Sequence, residues 1–351
     1  MWYIYLREDT PDEFLRNLRT LLEQDSDTLD NMKFNALHRI IVGLSNADLQ
    51  EQIELDPDLI NGTDANGRTP LMWAALRGHL NAIKMLLEYG ANVRAKSKEN
   101  NTVLHEVANL SCMKALIAAG AEINVQNCYG NTPVYCIIRR GRDSKMATTL
   151  LQNGADPNLG TSHAPIHAAA EEGNSKAITA LLDYGADINR CVYDGFTAIM
   201  LAVQYSHPEC VRLLRDKGAR FDGFDEDGLS LLDVASLYAN TSTLRVLAEA
   251  KPQLLEMGPQ DVDRCWYNFN ENRDQGYIGE RESIGEERAA MEEIMKSVLR
   301  LHDEGLEQGE ASSESEEAET DKPCESDEVD NSSEDEFVDV LEQQDSDSAS
   351  S

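Results

Sequence analysis

The sequence predicts an all-α repeat solenoid, a stack of helix-turn-helix units joined by short hairpin loops, closed by helical caps and followed by a disordered acidic C-terminal tail. Three observations predict it. A segment of the type "GRTPLMWAALRGHL" (67–80) returns along the chain, its marker apolar residue falling at Leu71, Leu104, Val134, Ile166, Ile199 and Leu232, so that successive markers lie 33, 30, 32, 33 and 33 apart. A degenerate copy, "NALHRII" (35–41), puts Leu37 another 34 residues upstream. A second marker ends most copies: "YGANV" (89–93), "AGAEIN" (119–124), "NGADPN" (153–158), "YGADIN" (184–189) and "KGARFD" (217–222). Self-similarity at a period of 20–50 residues is the mark of stacked repeats.

One unit shows why the pieces are helices. Thr69 is placed to cap a helix whose first residue is Pro70, where a missing N–H costs nothing. Leu71, Ala74 and Ala75 form a narrow apolar stripe, and small Ala lets a neighbouring helix approach closely. Gly78 turns the chain, and Leu80, Ile83, Leu86 and Leu87 make one face of a second helix over residues 79–89. Gly90 supplies the left-handed residue after it. Two helices of about ten residues cannot shield these stripes alone; neighbours on both sides must do it.

These residues resemble the ankyrin repeat. The resemblance is carried by "GRTPLMWAALRGHLNAIKMLLEYGANV" (67–93), "TVLHEVA" (102–108), "GNTPVY" (130–135), "APIHAAAEEGN" (164–174), "LLDYGADIN" (181–189) and "GFTAIMLAV" (195–203), and it covers six to seven copies over residues 32–250. It implies a non-enzymatic adaptor that binds partner proteins through the concave face of the array. Contacts would come from hairpin tips and first-helix ends: Asn66, Arg68, Leu76 and Arg77; Tyr129, Asn131, Arg139 and Arg140; Glu171 and Glu172; and Tyr193, Phe196, Gln204 and Tyr205. It also implies that His38, His105 and His167, at one shared repeat position, tie neighbouring repeats by hydrogen bonds. The copy at 97–124 departs by lacking a Gly-His turn, and the last copy reads "GLSLLDVA".

Outside the array, Thr10-Pro11-Asp12-Glu13 is a helix start with Phe14, Leu15, Leu18, Leu21 and Leu22 on one face, and residues 1–31 read as an N-terminal capping helix. Residues 251–302 read as a C-terminal cap. Trp266, Tyr267 and Phe269 are expected to cover the last repeat, and Glu286–His302 to form an amphipathic helix with Met291, Ile294, Met295, Val298 and Leu301 on one side. That helix has two readings, a packed cap or an exposed partner-binding helix.

The formal net charge is −33, and residues 303–351 hold 20 Asp/Glu against one Lys. Such a segment cannot offset its own ordering entropy and is expected to be a disordered tail. Val338, Asp339, Val340 and Leu341, behind Ser and acidic residues, resemble a SUMO-interacting motif. Ser313, Ser332 and Ser333 each have an acidic residue three positions on, which suits acid-directed kinases. The charge excludes direct nucleic-acid binding, which needs clustered Lys and Arg. The alternative function is a chaperone-like tail that holds basic proteins such as histones, with the repeats as a targeting module.

Catalysis is not indicated. No Gly-rich phosphate loop follows a strand, and no Ser/His/Asp set stands out, so no cofactor is expected. His163 and His167 with Cys191 could suggest zinc, but the shared position of His167 with His38 and His105 favours the structural role, and no metal is expected. The seven cysteines, an odd number without Cys-x-x-Cys spacing, read as reduced thiols. With no signal peptide and no apolar run of about 18 residues, the expectation is an intracellular protein, cytoplasmic or nuclear or both, that does not enter membranes.

Overall fold

The structure, a computed structural model, describes residues 31–141, 143–160, 164–191, 195–225, 227–249, 259–274 and 284–309. The chain divides into two units, Met1–Glu314 and Ser315–Ser351, and the described residues belong to the first. The N-terminal helix start at Thr10, Tyr193, Ser313, Ser332, Ser333 and the segment Val338–Leu341 lie outside them.

The described residues form eight successive helix pairs. In order these are α1 Ala36–Ile41 and α2 Leu49–Leu55; α3 Pro70–Leu76 and α4 Leu80–Glu88; α5 Val103–Glu106 and α6 Leu110–Ala118; α7 Pro133–Arg139 and α8 Ser144–Gln152; α9 Pro165–Glu171 and α10 Ser175–Asp183; α11 Ala198–Gln204 and α12 Pro208–Asp216; α13 Leu231–Tyr238 and α14 Thr241–Ala248; and α15 Pro259–Asp274 and α16 Ile284–Gly309. A short 3-10 turn, Pro57–Asn61, follows α2. The only β pairing among the described residues is two single antiparallel bridges at hairpin bases, Cys191 with Thr197 and Phe224 with Ser230.

The start signals act as their chemistry requires. The Thr69 hydroxyl accepts from the Met72 N–H at 3.4 Å with Pro70 first in the helix, and Thr132 with Pro133 repeats the device at α7. Where the Gly-His turn is missing, the Asn109 carboxamide caps α6 by accepting from Cys112 N at 3.0 Å, and its Nδ2 donates to Gly78 O of the preceding repeat. The short α5 is thereby joined to α6 without a turn.

Stacking forms the core. First helices pack on first helices from α1 to α15, and second helices on second from α4 to α16. Leu37, Leu71, Leu104, Val134, Ile166, Ile199 and Leu232, the repeat markers, are all buried. Each second helix adds its own face, as with Ile83 and Leu86, or Ile178 and Leu181. At about 1.5–3 kcal/mol for each large aliphatic side chain removed from water, burial between neighbours is the main favourable term, and no pair holds it alone.

Polar ties fix the register. Hairpins are linked in series by Lys98 N to Asn66 O and Cys128 N to Glu99 O, both 2.9 Å. On the other side, Asn61, Asn124, Asn158 and Asn189 each accept through Oδ1 from a backbone N–H of the next repeat, at 2.8–2.9 Å. The histidines do as the shared position implied: Nε2 of His38 meets Arg68 O, that of His105 meets Asn131 O and that of His167 meets Arg190 O, at 3.0, 3.0 and 2.8 Å.

One reading changes at the C-terminal end. Residues 259–274 form a regular helix, α15, which packs on α13, while α16 packs on α14. The stack thus runs one pair beyond the last marker. Of the aromatic cluster, Phe269 is buried and stacked on Trp266, but Tyr267 stands in solvent. Met291, Ile294, Met295 and Val298 of α16 are buried, which agrees with the packed-cap reading of this helix and not with the exposed one. Cys112, Cys128, Cys136, Cys210 and Cys265 are free thiols. Among the described residues no helix is long and apolar enough to cross a membrane.

Candidate protein-binding face

The first helices and hairpins present one side of the stack. Asp64 organises its first hairpin, with Oδ1 accepting from Asn66 N and Arg68 N at 2.8 Å and Oδ2 from the Trp73 indole N–H at 3.0 Å. This holds Asn66, half-buried, at the tip, and its carbonyl is taken by Lys98 N. Arg68 lies 5.9 Å over the Trp73 ring and forks onto Glu106, with Nε 3.1 Å from both oxygens and Nη2 2.9 Å from Oε1. Glu106 is buried, so this pair joins two repeats from inside. Leu76 and Arg77 are buried too, which removes them from the solvent side.

The fourth and fifth helix pairs meet through charge. Arg139 Nη1 lies 3.2 Å from Glu171 and pairs also with Glu172; burial opposes its charge, but the two carboxylates raise its pKa. Arg140 Nη1 donates to His105 O at 2.6 Å, and Asn131, half-buried, offers its carbonyl to the His105 ring. The Glu171 carbonyl accepts from His207 Nε2 at 2.8 Å. Phe196 and Gln204 are half-buried, Phe196 against the core.

What stays in solvent is largely aromatic. Tyr129, Tyr205, Phe224 and Tyr238 are 61%, 51%, 54% and 43% exposed, while the core takes Trp73, Phe221 and Phe269 almost completely. The carboxylate of Glu99 raises the Tyr129 phenol pKa. Phe224 and Tyr238 were absent from the sequence-derived set. Tyr238 could have been found by register, since it stands 33 residues after Tyr205, six past its own marker. The degenerate "GLSLLDVA" start hid that relation. Phe224, at a hairpin base, carries no sequence signal separating it from the buried Phe221.

Chemically, this face offers rings, one carboxylate-rich cluster and few free cations. Among the described residues no group of three or more His, Cys, Asp and Glu side chains is set to hold a metal ion. A cleft of about 290 Å³ lies on the opposite side, between α10 and α12, lined by Ser175, Thr179, Glu209, Arg212, Leu213 and Asp216.

A stack of short helix pairs with capped first helices, His ties and hairpin links defines a class, the repeat proteins that act as protein–protein interaction modules. Within it, the family model for ankyrin repeats matches three times, at residues 47–127, 104–192 and 166–256, and the chain belongs to the ankyrin-repeat family. It is 30% identical over 159 residues to a putative palmitoyltransferase ZDHHC13 of Danio rerio, covering 44% of this chain and 24% of that protein. It is 31% identical over 170 residues to SH3 and multiple ankyrin repeat domains protein 2 of Homo sapiens, covering 47% and 9%. Among solved structures, the ankyrin repeat domain of Bcl-3 superposes with a TM-score of 0.50 at 21% identity, covering 58% of this chain and 95% of that one. The chain spans less than a quarter of the length of either curated relative. The fold is typically that of a non-enzymatic interaction module.

Proposed function

We propose that this protein is a non-enzymatic adaptor that captures partner proteins on the hairpin and first-helix side of its array. One observation carries the reading: Tyr129, Tyr205, Phe224 and Tyr238 are left in water on that side, while Trp73, Phe221 and Phe269 are almost completely buried. Large rings with a polar edge are favoured anchors at interfaces, because they bring much contact area at low entropic cost. Of the sequence-derived positions within the described residues, Tyr129, Glu172, Phe196, Gln204 and Tyr205 belong to this contact surface. Arg68, Arg139, Arg140 and Glu171 are engaged between repeats and support it from behind. The test is capture by the full chain of proteins identified by mass spectrometry, compared with a variant in which Tyr129, Tyr205, Phe224 and Tyr238 are all Ala. The variant should keep its thermal midpoint within a few degrees and lose its specific partners; undiminished capture would refute the reading.

The acidic segment favours a second activity. With 20 Asp/Glu against one Lys over residues 303–351, it suits basic proteins, and the repeats would then act as an address. Comparison of the full chain with residues 1–302 against histone-like ligands separates the two, since a tail-driven activity vanishes with the tail. In the same segment, Val338–Leu341 would add a strand to a SUMO sheet edge, and Ser313, Ser332 and Ser333 would take phosphate. Intact mass of the native protein without tail phosphate would remove the second of these. A cytoplasmic or nuclear site of action accords with such partners.

A further inference from the structure

We infer that the last rungs of this face take a cationic partner segment, an extended stretch bearing Arg or Lys at about every third residue. The inference deepens the adaptor reading and rests on it.

Three consecutive first helices, α9, α11 and α13, contain no Lys or Arg at all. At the position six past the repeat marker they end in Glu172, Tyr205 and Tyr238, where the preceding repeat has Arg140. Arg139, which reaches this strip from the preceding repeat, is already met by two carboxylates, Glu171 and Glu172. That cluster keeps a net negative charge.

The rings are set in order by the backbone beside them. Ser206, held at φ 56°, follows Tyr205; its hydroxyl donates to Tyr238 O at 3.1 Å and accepts from Asn240 N at 3.0 Å. His207 next to it holds Glu171 O. Glu172, Tyr205 and Tyr238 are therefore successive steps of one ladder, and packed helices stand about 8–10 Å apart. An extended chain rises about 3.3 Å per residue, so residues three apart match one step. Exposed tyrosine rings attract guanidinium and ammonium groups over their faces, and neighbouring carboxylates raise the local concentration of such groups. An acidic segment would be repelled, and an apolar one would leave Glu172 unanswered.

The test uses the full chain and a fluorescein-labelled twelve-residue peptide of repeated Arg-Ser-Gly with a central photo-crosslinker, against the same peptide with citrulline for Arg. Binding should weaken about tenfold in Tyr205→Ala/Tyr238→Ala, the loss of two exposed cation–π contacts. It should stay within about twofold in Tyr205→Phe/Tyr238→Phe, which keeps the rings. Tyr184→Ala removes an exposed ring at the end of a second helix and should change nothing. The citrulline peptide should bind at least about tenfold more weakly, and crosslinks should fall at the α9, α11 and α13 ends. Binding indifferent to the Ala pair, or crosslinks confined to residues 303–351, overturns the inference. If it falls while the four-ring variant still loses its captured proteins, the adaptor reading stands and only the partner's chemistry was wrong.

Discussion

Arg264 reaches from α15 into the last marked repeat and grips Asp233 with two hydrogen bonds, Nε to Oδ1 at 2.7 Å and Nη2 to Oδ2 at 2.5 Å. Asp233 sits one past its marker, the position that His38, His105 and His167 occupy in other repeats. Its Oδ2 also accepts from Ser230 N and Ser230 Oγ at 2.9 and 2.7 Å, and Cys265 Sγ stands 3.4 Å from Oδ1. The site keeps the capping box of the His38 and His105 repeats and replaces the histidine tie to a backbone carbonyl with an ion pair.

Replacing Arg264 by Met should therefore loosen the terminal pair. A fully buried carboxylate would lose its charged donor, at a cost of about 2 kcal/mol. Hydrogen exchange should quicken in α15 and α16 with little change in α3 to α10. Burial pushes the Asp233 pKa up, but Arg264 and Ser230 outweigh it and the net direction is down. A depressed carboxyl contributes stability that is present above its unfolded value, near 3.9, and is lost as pH falls through the folded one. The wild-type terminal pair should thus hold at neutral pH and loosen only in acid below about pH 4. Loosening already at pH 6 would contradict this assignment.

The array was legible because one device recurs: Thr69-Pro70 and Thr132-Pro133 announce helices wherever they stand, and the shared place of His38, His105 and His167 gave them one role once the resemblance to ankyrin repeats supplied it. The pair α15–α16 was not legible as a continuation of the stack, because its tie, Arg264 to Asp233, is written in residues absent from the repeat pattern. The candidate face was read less well. Register located the exposed Tyr205, but it equally selected Leu76 and Arg77, which the fold buries. Pairings such as Arg68 with Glu106 join residues 38 apart, and no local signal announces that the charge is already answered.

That pairing gives a second prediction. Arg68→Met would leave Glu106 buried with the Asn101 carboxamide, whose Nδ2 stands 3.4 Å from Oε1. Stranding one member of a buried pair costs about 3 kcal/mol or more, whereas removing both can be far milder. Arg68→Met should therefore lower the urea midpoint more than Arg68→Met/Glu106→Met does. If the single change is nearly neutral, Arg68 is not a tie between repeats and returns to the set of partner contacts.

The buried histidines set a pH dependence. His105 accepts from Thr102 N at Nδ1, 3.0 Å, and donates from Nε2 to Asn131 O, so the neutral ring fits its site. Burial lowers its pKa, against the opposing pull of Asn131 O, to about 4, and burial lowers that of His38 as well. A depressed histidine contributes stability that is complete above the unfolded value of about 6.5 and drains away as pH falls toward the folded value. For His105 alone this is about 3 kcal/mol between pH 6.5 and 4. Urea midpoints should decline over that interval, and His105→Gln should flatten part of the decline; an unchanged slope would dismiss His105 as its source.

Glycines in the left-handed region should not be equally replaceable. Gly185 has φ +85° and open space where a Cβ would stand, so Gly185→Ala meets only the backbone penalty of about 1 kcal/mol. Gly173, at φ +66°, would place its Cβ 2.6 Å from His207 Nδ1 and 2.8 Å from Cε1. That ring cannot withdraw without giving up its bond to Glu171 O. Gly173→Ala should accordingly cost about 2–3 kcal/mol, the left-handed penalty together with a lost buried hydrogen bond. Because the clash needs the ring, Gly173→Ala/His207→Ala should cost less than the two single changes added together. Strict additivity in urea melts would mean that the ring and the glycine do not meet.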